Sequence, residues 1–142
     1  MRILALDYGD KRIGAAICDE LEIAAHGLTT ITRKNSKADI EVISNFIRNL
    51  GVEKVVVGYP KRIDGSEGRQ CEKVNSFISK LEAHLSIPVV RWDETFSTKE
   101  AQDIVRENGR MSGKKKKNII DRIAASVILQ SYLDFQRSKI VD

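Results

Sequence analysis

Three consecutive valines, Val55-Val56-Val57, limit the folds open to this chain more than any other stretch of it. Successive strand residues face opposite sides of a sheet, so a run without a polar member has no side that it can leave in water. Such a run suits an interior strand of a sheet covered by helices. Ile3-Leu4-Ala5-Leu6, near the amino terminus, is apolar enough to be another interior strand.

The remaining elements follow from periodicity and punctuation. Residues 2–8 and 13–19 are short apolar stretches separated by Gly9-Asp10-Lys11-Arg12, which reads as a hairpin between antiparallel strands. A third strand is expected over residues 24–32, where Thr and Ile are frequent. Ser36 opens a helix whose Ile40, Ile43, Phe46, Ile47 and Leu50 recur at helical spacing, and Gly51 is placed to end it. After Gly58-Tyr59-Pro60 and a polar loop, Val74, Phe77, Ile78, Leu81 and Leu85 mark a second helix reaching about His84. Residues 87–92 form the next strand. Ser97-Thr98-Lys99-Glu100 has the spacing of a capping box for a helix ending near Asn108-Gly109. Asn118 then reads as the N-cap of a last helix through Ile119, Ile123, Ala124, Val127, Ile128 and Tyr132. The order is βββαβαβαα, which predicts an α/β fold with a mixed five-stranded sheet and helices on its faces. No repeat or linker divides residues 1–142, so one domain is expected.

At 142 residues, 42% apolar, the chain can bury one core without disulfide staples. No apolar run reaches the roughly 18 residues of a membrane span, and the amino terminus meets Asp7 too soon for a signal-peptide core. Cys18 and Cys71, with only His26 and His84 as histidine partners, fit no common zinc spacing and no disulfide framework. A cytoplasmic protein without a membrane partner is the expectation. Both histidines read as ordinary surface or partly buried residues, and Trp92 and Phe77 as core.

The net charge of +4 is localised. Residues 99–122 carry eight Lys/Arg against four Asp/Glu, and the rest of the chain balances at sixteen each. An anionic partner would therefore be met by this segment, above all by Lys114, Lys115, Lys116 and Lys117, although a lysine run is often only a solvated loop.

Three acidic positions stand at element ends. Asp7 closes an apolar strand two residues before a glycine, where a ligand or another backbone can come close. A salt bridge to Lys11 or Arg12, or an Asx turn, would also account for it. Asp93 and Glu94 end the fifth strand, and since neighbours face opposite ways only one of them can share a side with Asp7. Either could instead favour the positive end of the following helix. Asp121 follows Asn118 by three residues, where the helix dipole also favours an acid. It lies, however, beside a core-facing stripe and after four lysines. Should these acids converge, their hard oxygens would select Mg²⁺ or Mn²⁺ over zinc. Two such ions about 4 Å apart would activate a water and stabilise the leaving oxygen of a phosphodiester.

The motifs also carry a resemblance. Asp7-Tyr8-Gly9-Asp10-Lys11-Arg12-Ile13-Gly14, Val56-Val57-Gly58-Tyr59-Pro60 with Asp64-Gly65-Ser66-Glu67, Asp93-Glu94 with Ser97-Thr98 and Ala101, and Lys117-Asn118, Asp121, Ala124-Ala125 and Ile128-Leu129 occur in order. Together they resemble the YqgF or RuvX family of ribonuclease H-like proteins. That family is described as Holliday junction resolvase-like and as the nuclease maturing the 5′ end of the small-subunit ribosomal RNA precursor. The resemblance implies a ribonuclease H-like fold, a two-metal-ion phosphodiester hydrolase, and Asp7, Glu94 and Asp121 as its catalytic, metal-binding acids. It is this that favours Glu94 over Asp93. One departure is Thr95, where the family usually has Arg. Lys99 or Arg62 would then supply the missing charge, joining Lys11, Arg12 and residues 114–117 as candidate nucleic-acid contacts.

The leading expectation is a metal-dependent nuclease acting on structured RNA in ribosome biogenesis. Two alternatives stand beside it: a junction resolvase on branched DNA, which would need a dimer, and a non-catalytic nucleic-acid- or nucleotide-binding module of the same fold. Asp7-Tyr8-Gly9 permits the nucleotide reading, but enclosing ATP normally takes two such lobes. Phosphate contacts do not separate RNA from DNA.

Overall fold

The computed structural model describes residues 1–59, 68–93 and 113–141. Its elements are β1 (Arg2–Tyr8), β2 (Arg12–Cys18), β3 (Ala25–Thr32), α1 (Ser36–Leu50), β4 (Val52–Tyr59), α2 (Arg69–His84), β5 (Val89–Asp93) and α3 (Gly113–Val141). The strands form one mixed sheet in the order β3-β2-β1-β4-β5. β1, β2 and β3 pair antiparallel, while β4 runs parallel to β1 and β5 parallel to β4. Helices α1 and α2 are the crossovers that parallel pairing demands.

The valine run is an interior strand, as its composition predicts: Val55, Val56 and Val57 are fully buried. Val55 and Val57 pack with Ile40, Ile43, Phe77, Ile78 and Leu81 of α1 and α2. Val56 faces the other way, with Ile3, Ala5, Ala16, Ala125, Ile128, Leu129 and Leu133 beneath α3. Each fully buried Val, Leu, Ile or Phe contributes roughly 1.5–3 kcal/mol, so the two cores together fix the layers. At α1, the Asn35 side chain accepts a hydrogen bond from the Ala38 amide, and Gly51 takes the left-handed conformation (φ 65°) that ends the helix.

The last helix differs from its expected start. α3 begins at Gly113, so Asn118 is not its N-cap but an interior residue whose carbonyl accepts from the Thr30 hydroxyl at 2.6 Å. Lysine is a strong helix former, and the apolar stripe that locates a helix does not mark where it starts. The lysines at 114–117 therefore extend α3 and do not form a loop before it. The helix expected from Ser97 to Asn108 lies outside the described residues. Cys18 and Cys71 are both buried and not joined in a disulfide, and His26 and His84 are exposed.

Candidate active site

Small side chains let α3 settle closely on the sheet. Ala5, Ala16, Ala124 and Ala125 are fully buried at this interface. The approach is tightest at Gly14 of β2, where a Cβ would lie 2.0 Å from the main-chain oxygen of Asp121. Among the described residues the only positive-φ glycine is Gly51, so Gly14 serves space and not conformation.

Gly14 is also the residue directly opposite Asp7 in the β1–β2 ladder. Opposed residues point to one face, with Cβ positions about 5 Å apart. Ile3 and Ala5 lie in the α3-side core, so Asp7, next in that alternation, faces α3 as well. One glycine thus lies between Asp7, at the end of β1, and the backbone of Asp121 in α3, residues far apart in sequence.

Asp121 lies two turns into α3, with no acid in the first turn. The helix dipole acts within that turn, so it does not account for this acid. What engages Asp121 is Arg12, whose Nε donates to Oδ2 at 2.7 Å with the side chains 27% and 22% exposed. Arg12 precedes Gly14 by two positions and so shares its face. The salt bridge considered between Arg12 and Asp7 goes instead to Asp121.

The turn carrying Asp7 towards Arg12 is braced from the segment joining β3 to α1. Gly9 N donates to Arg12 O at 2.9 Å, and Arg33 Nη1 donates to the carbonyls of Gly9 and Asp10 at 3.3 and 3.2 Å. Arg33 is held by the buried Asp39 at 3.4 Å and lies 4.5 Å above the Tyr8 ring. These contacts hold the turn that follows Asp7.

The fifth strand decides which of its two acids is out of step. Val90 and Trp92 pack on the α3 side, so Asp93 faces the opposite side with its register partner Tyr59. Glu94, Arg62 and Lys99 lie outside the described residues. Lys11 and Lys117 are exposed, and Lys114, Lys115 and Lys116 lie on the opening turns of α3. Among the described residues no three His, Cys, Asp or Glu side chains converge. Asp7 and Asp121 both border Gly14, and carboxylate oxygens are the donor type that suits a hard divalent cation.

Sequence reasoning did not single out two glycines. Gly14 sets the approach of α3, and Gly58 stands level with Asp7 on the neighbouring strand, paired with Trp92. Gly58 adds no side chain to the sheet between Asp7 and Trp92. A glycine in the interior of a strand is the signal that could have found both.

A family model described as "RuvX: Holliday junction resolvase" matches residues 1–135. This chain belongs to the RuvX family. Among curated RuvX relatives, a protein of Syntrophus aciditrophicus is 56% identical over 134 residues, covering 94% of this chain and 89% of its own. One of Halothermothrix orenii is 48% identical over 136 residues, covering 96% of each. Both bear the name "Putative pre-16S rRNA nuclease". Among solved structures, Thermus thermophilus RuvC in complex with a Holliday junction substrate is similar with a TM-score of 0.59, at 16% identity over 97% of this chain and 96% of that one. The yeast mitochondrial Holliday junction resolvase Ydc2 gives the same TM-score at 10% identity, covering 95% and 78%. At such identities these two speak for the fold, which is the ribonuclease H-like one expected for RuvX. Among the described residues no helix is long and apolar enough to cross a membrane.

Proposed function

We propose that this RuvX chain is a divalent-cation-dependent nuclease that processes the 5′ end of the small-subunit ribosomal RNA precursor. The observation that carries this reading is that Gly14, directly opposite Asp7 in the ladder, is also where the backbone of Asp121 meets the sheet. Glu94 completes the set: alternation that turns Asp93 away from that face favours its successor for the third ligand. Asp7, Glu94 and Asp121 would hold Mg²⁺ or Mn²⁺, which supplies positive charge at the scissile phosphate and a more acidic water. Lys11 beside the site and the lysines opening α3 neutralise backbone phosphates and hold the strand. Arg62 and Lys99 add to that charge. Gly58 leaves room for substrate between Asp7 and Trp92.

The relatives' names favour ribosomal RNA, and the likeness to RuvC favours branched DNA as the second reading. Both use the same acids. The test compares a precursor RNA carrying the 5′ leader with a four-way DNA junction, each in Mg²⁺ and Mn²⁺. Preferred cleavage of the RNA, lost in Asp7→Asn while folding and RNA binding persist, supports the proposal. Full activity of Asp7→Asn would remove the mechanism, and junction cleavage alone would transfer it to DNA.

A further inference from the structure

The Arg12–Asp121 contact places two demands on one carboxylate. Asp121 Oδ2 is occupied by Arg12 Nε at 2.7 Å, while the function proposed above, on which this inference rests, requires Asp121 as a cation ligand. An arginine stays charged at any working pH, so it lowers the affinity of the acids for a cation both by occupying an oxygen and by repulsion.

Arg12 nevertheless keeps the means to leave. Only Nε is engaged among the described residues, so four of the five guanidinium N–H groups remain to grip a phosphate in the two-pronged manner that suits it. The pair keeps 27% and 22% of its side-chain surface accessible, so an incoming phosphate can reach the guanidinium and compete for it. Its neighbours on the chain are Lys11, exposed in the turn, and the α3-facing floor at Gly14, so a phosphate approaching Asp7 meets Arg12 on arrival.

We propose that Arg12 is a positioning residue that acts as a latch. It holds Asp121 in the free protein and moves to a substrate phosphate on binding, so that nucleic acid and divalent cation bind with positive coupling. Each then tightens the other by the same factor. The coupling is about 5-fold, the scale of one partly exposed ion pair. The latch makes the cation site strongest when a strand is present.

The test measures Mn²⁺ uptake by the full chain from the loss of the free-ion electron paramagnetic resonance signal. It is run with and without a 2′-O-methyl phosphorothioate oligonucleotide, against Asp7→Asn under the same conditions. In the wild type the oligonucleotide tightens Mn²⁺ binding about 5-fold. Arg12→Ala binds Mn²⁺ about 5-fold more tightly without oligonucleotide and gains little from adding it. Arg12→Gln, which keeps the side-chain length, shows the same change should the alanine variant fold poorly. Unchanged or weaker Mn²⁺ binding in natively folded Arg12 variants, or coupling that persists in them, overturns the latch while Asp7→Asn still loses the ion. Equal uptake by the wild type and Asp7→Asn overturns the cation site itself, and the latch with it.

Discussion

Gly14→Ala adds one methyl group at the point where α3 touches β2. That methyl would lie 2.0 Å from the Asp121 oxygen, 2.5 Å from its carbonyl carbon and 3.1 Å from its Cα, whereas ordinary contact begins near 3.4 Å. The three nearest atoms are all main chain, so no rotamer change relieves the overlap, and α3 must retreat by about 1.4 Å. Overpacking of this kind costs about 1–3 kcal/mol, and a backbone-to-backbone clash belongs at the upper end, near 3 kcal/mol. The same shift carries Asp121 away from Asp7. A misplacement of about 1 Å can cost roughly 10²-fold in rate, so cleavage should fall by that order even where the variant remains folded. Urea unfolding gives the stability change, and single-turnover cleavage at saturating Mg²⁺ gives the rate. Wild-type values for both would refute the idea that Gly14 sets the distance between the two acids.

Two further outcomes follow. Replacing Lys114, Lys115, Lys116 and Lys117 by Glu should weaken RNA binding and flatten its logarithmic salt dependence by about 0.7–0.9 for each phosphate no longer neutralised, measured by filter binding across a salt series. Burial raises the Cys18 thiol above its ordinary value of about 9, against the opposing effect of the Ile3 amide that donates to its sulfur. The folded state therefore keeps this proton more tightly. Its stabilising effect is complete below pH ~9 and declines as pH rises from there towards the folded-state value, so urea midpoints at pH 8 and 10.5 should differ less in Cys18→Ala than in the wild type.

Much of this fold is legible in the sequence because apolar periodicity reports burial directly. Val55-Val56-Val57 names an interior strand, and the stripe from Ile40 to Leu50 with Gly51 after it locates α1 to its end residue. The start of α3 is not legible in the same way. A polar residue before an apolar stripe, such as Asn118, is equally an N-cap or an ordinary interior position, and Lys114 to Lys117 favour helix as readily as loop. At the site, residue type and setting nominate Asp7 and Asp121, but their adjacency depends on Gly14, whose role is defined by a helix more than a hundred residues away. The Arg12–Asp121 pair is likewise beyond reach, because sequence proximity points Arg12 at Asp7. Strand alternation alone leaves Asp93 and Glu94 equivalent until the packing of Val90 and Trp92 fixes which face Asp93 takes.

The most direct test is a crystal of the wild-type chain soaked in Mn²⁺ and recorded at the manganese absorption edge. Anomalous density bounded by the carboxylates of Asp7, Glu94 and Asp121, absent from Asp7→Asn crystals treated alike, is the predicted result. Density at other residues only, or a soaked site in which Asp7 and Asp121 engage nothing but protein, would contradict the account.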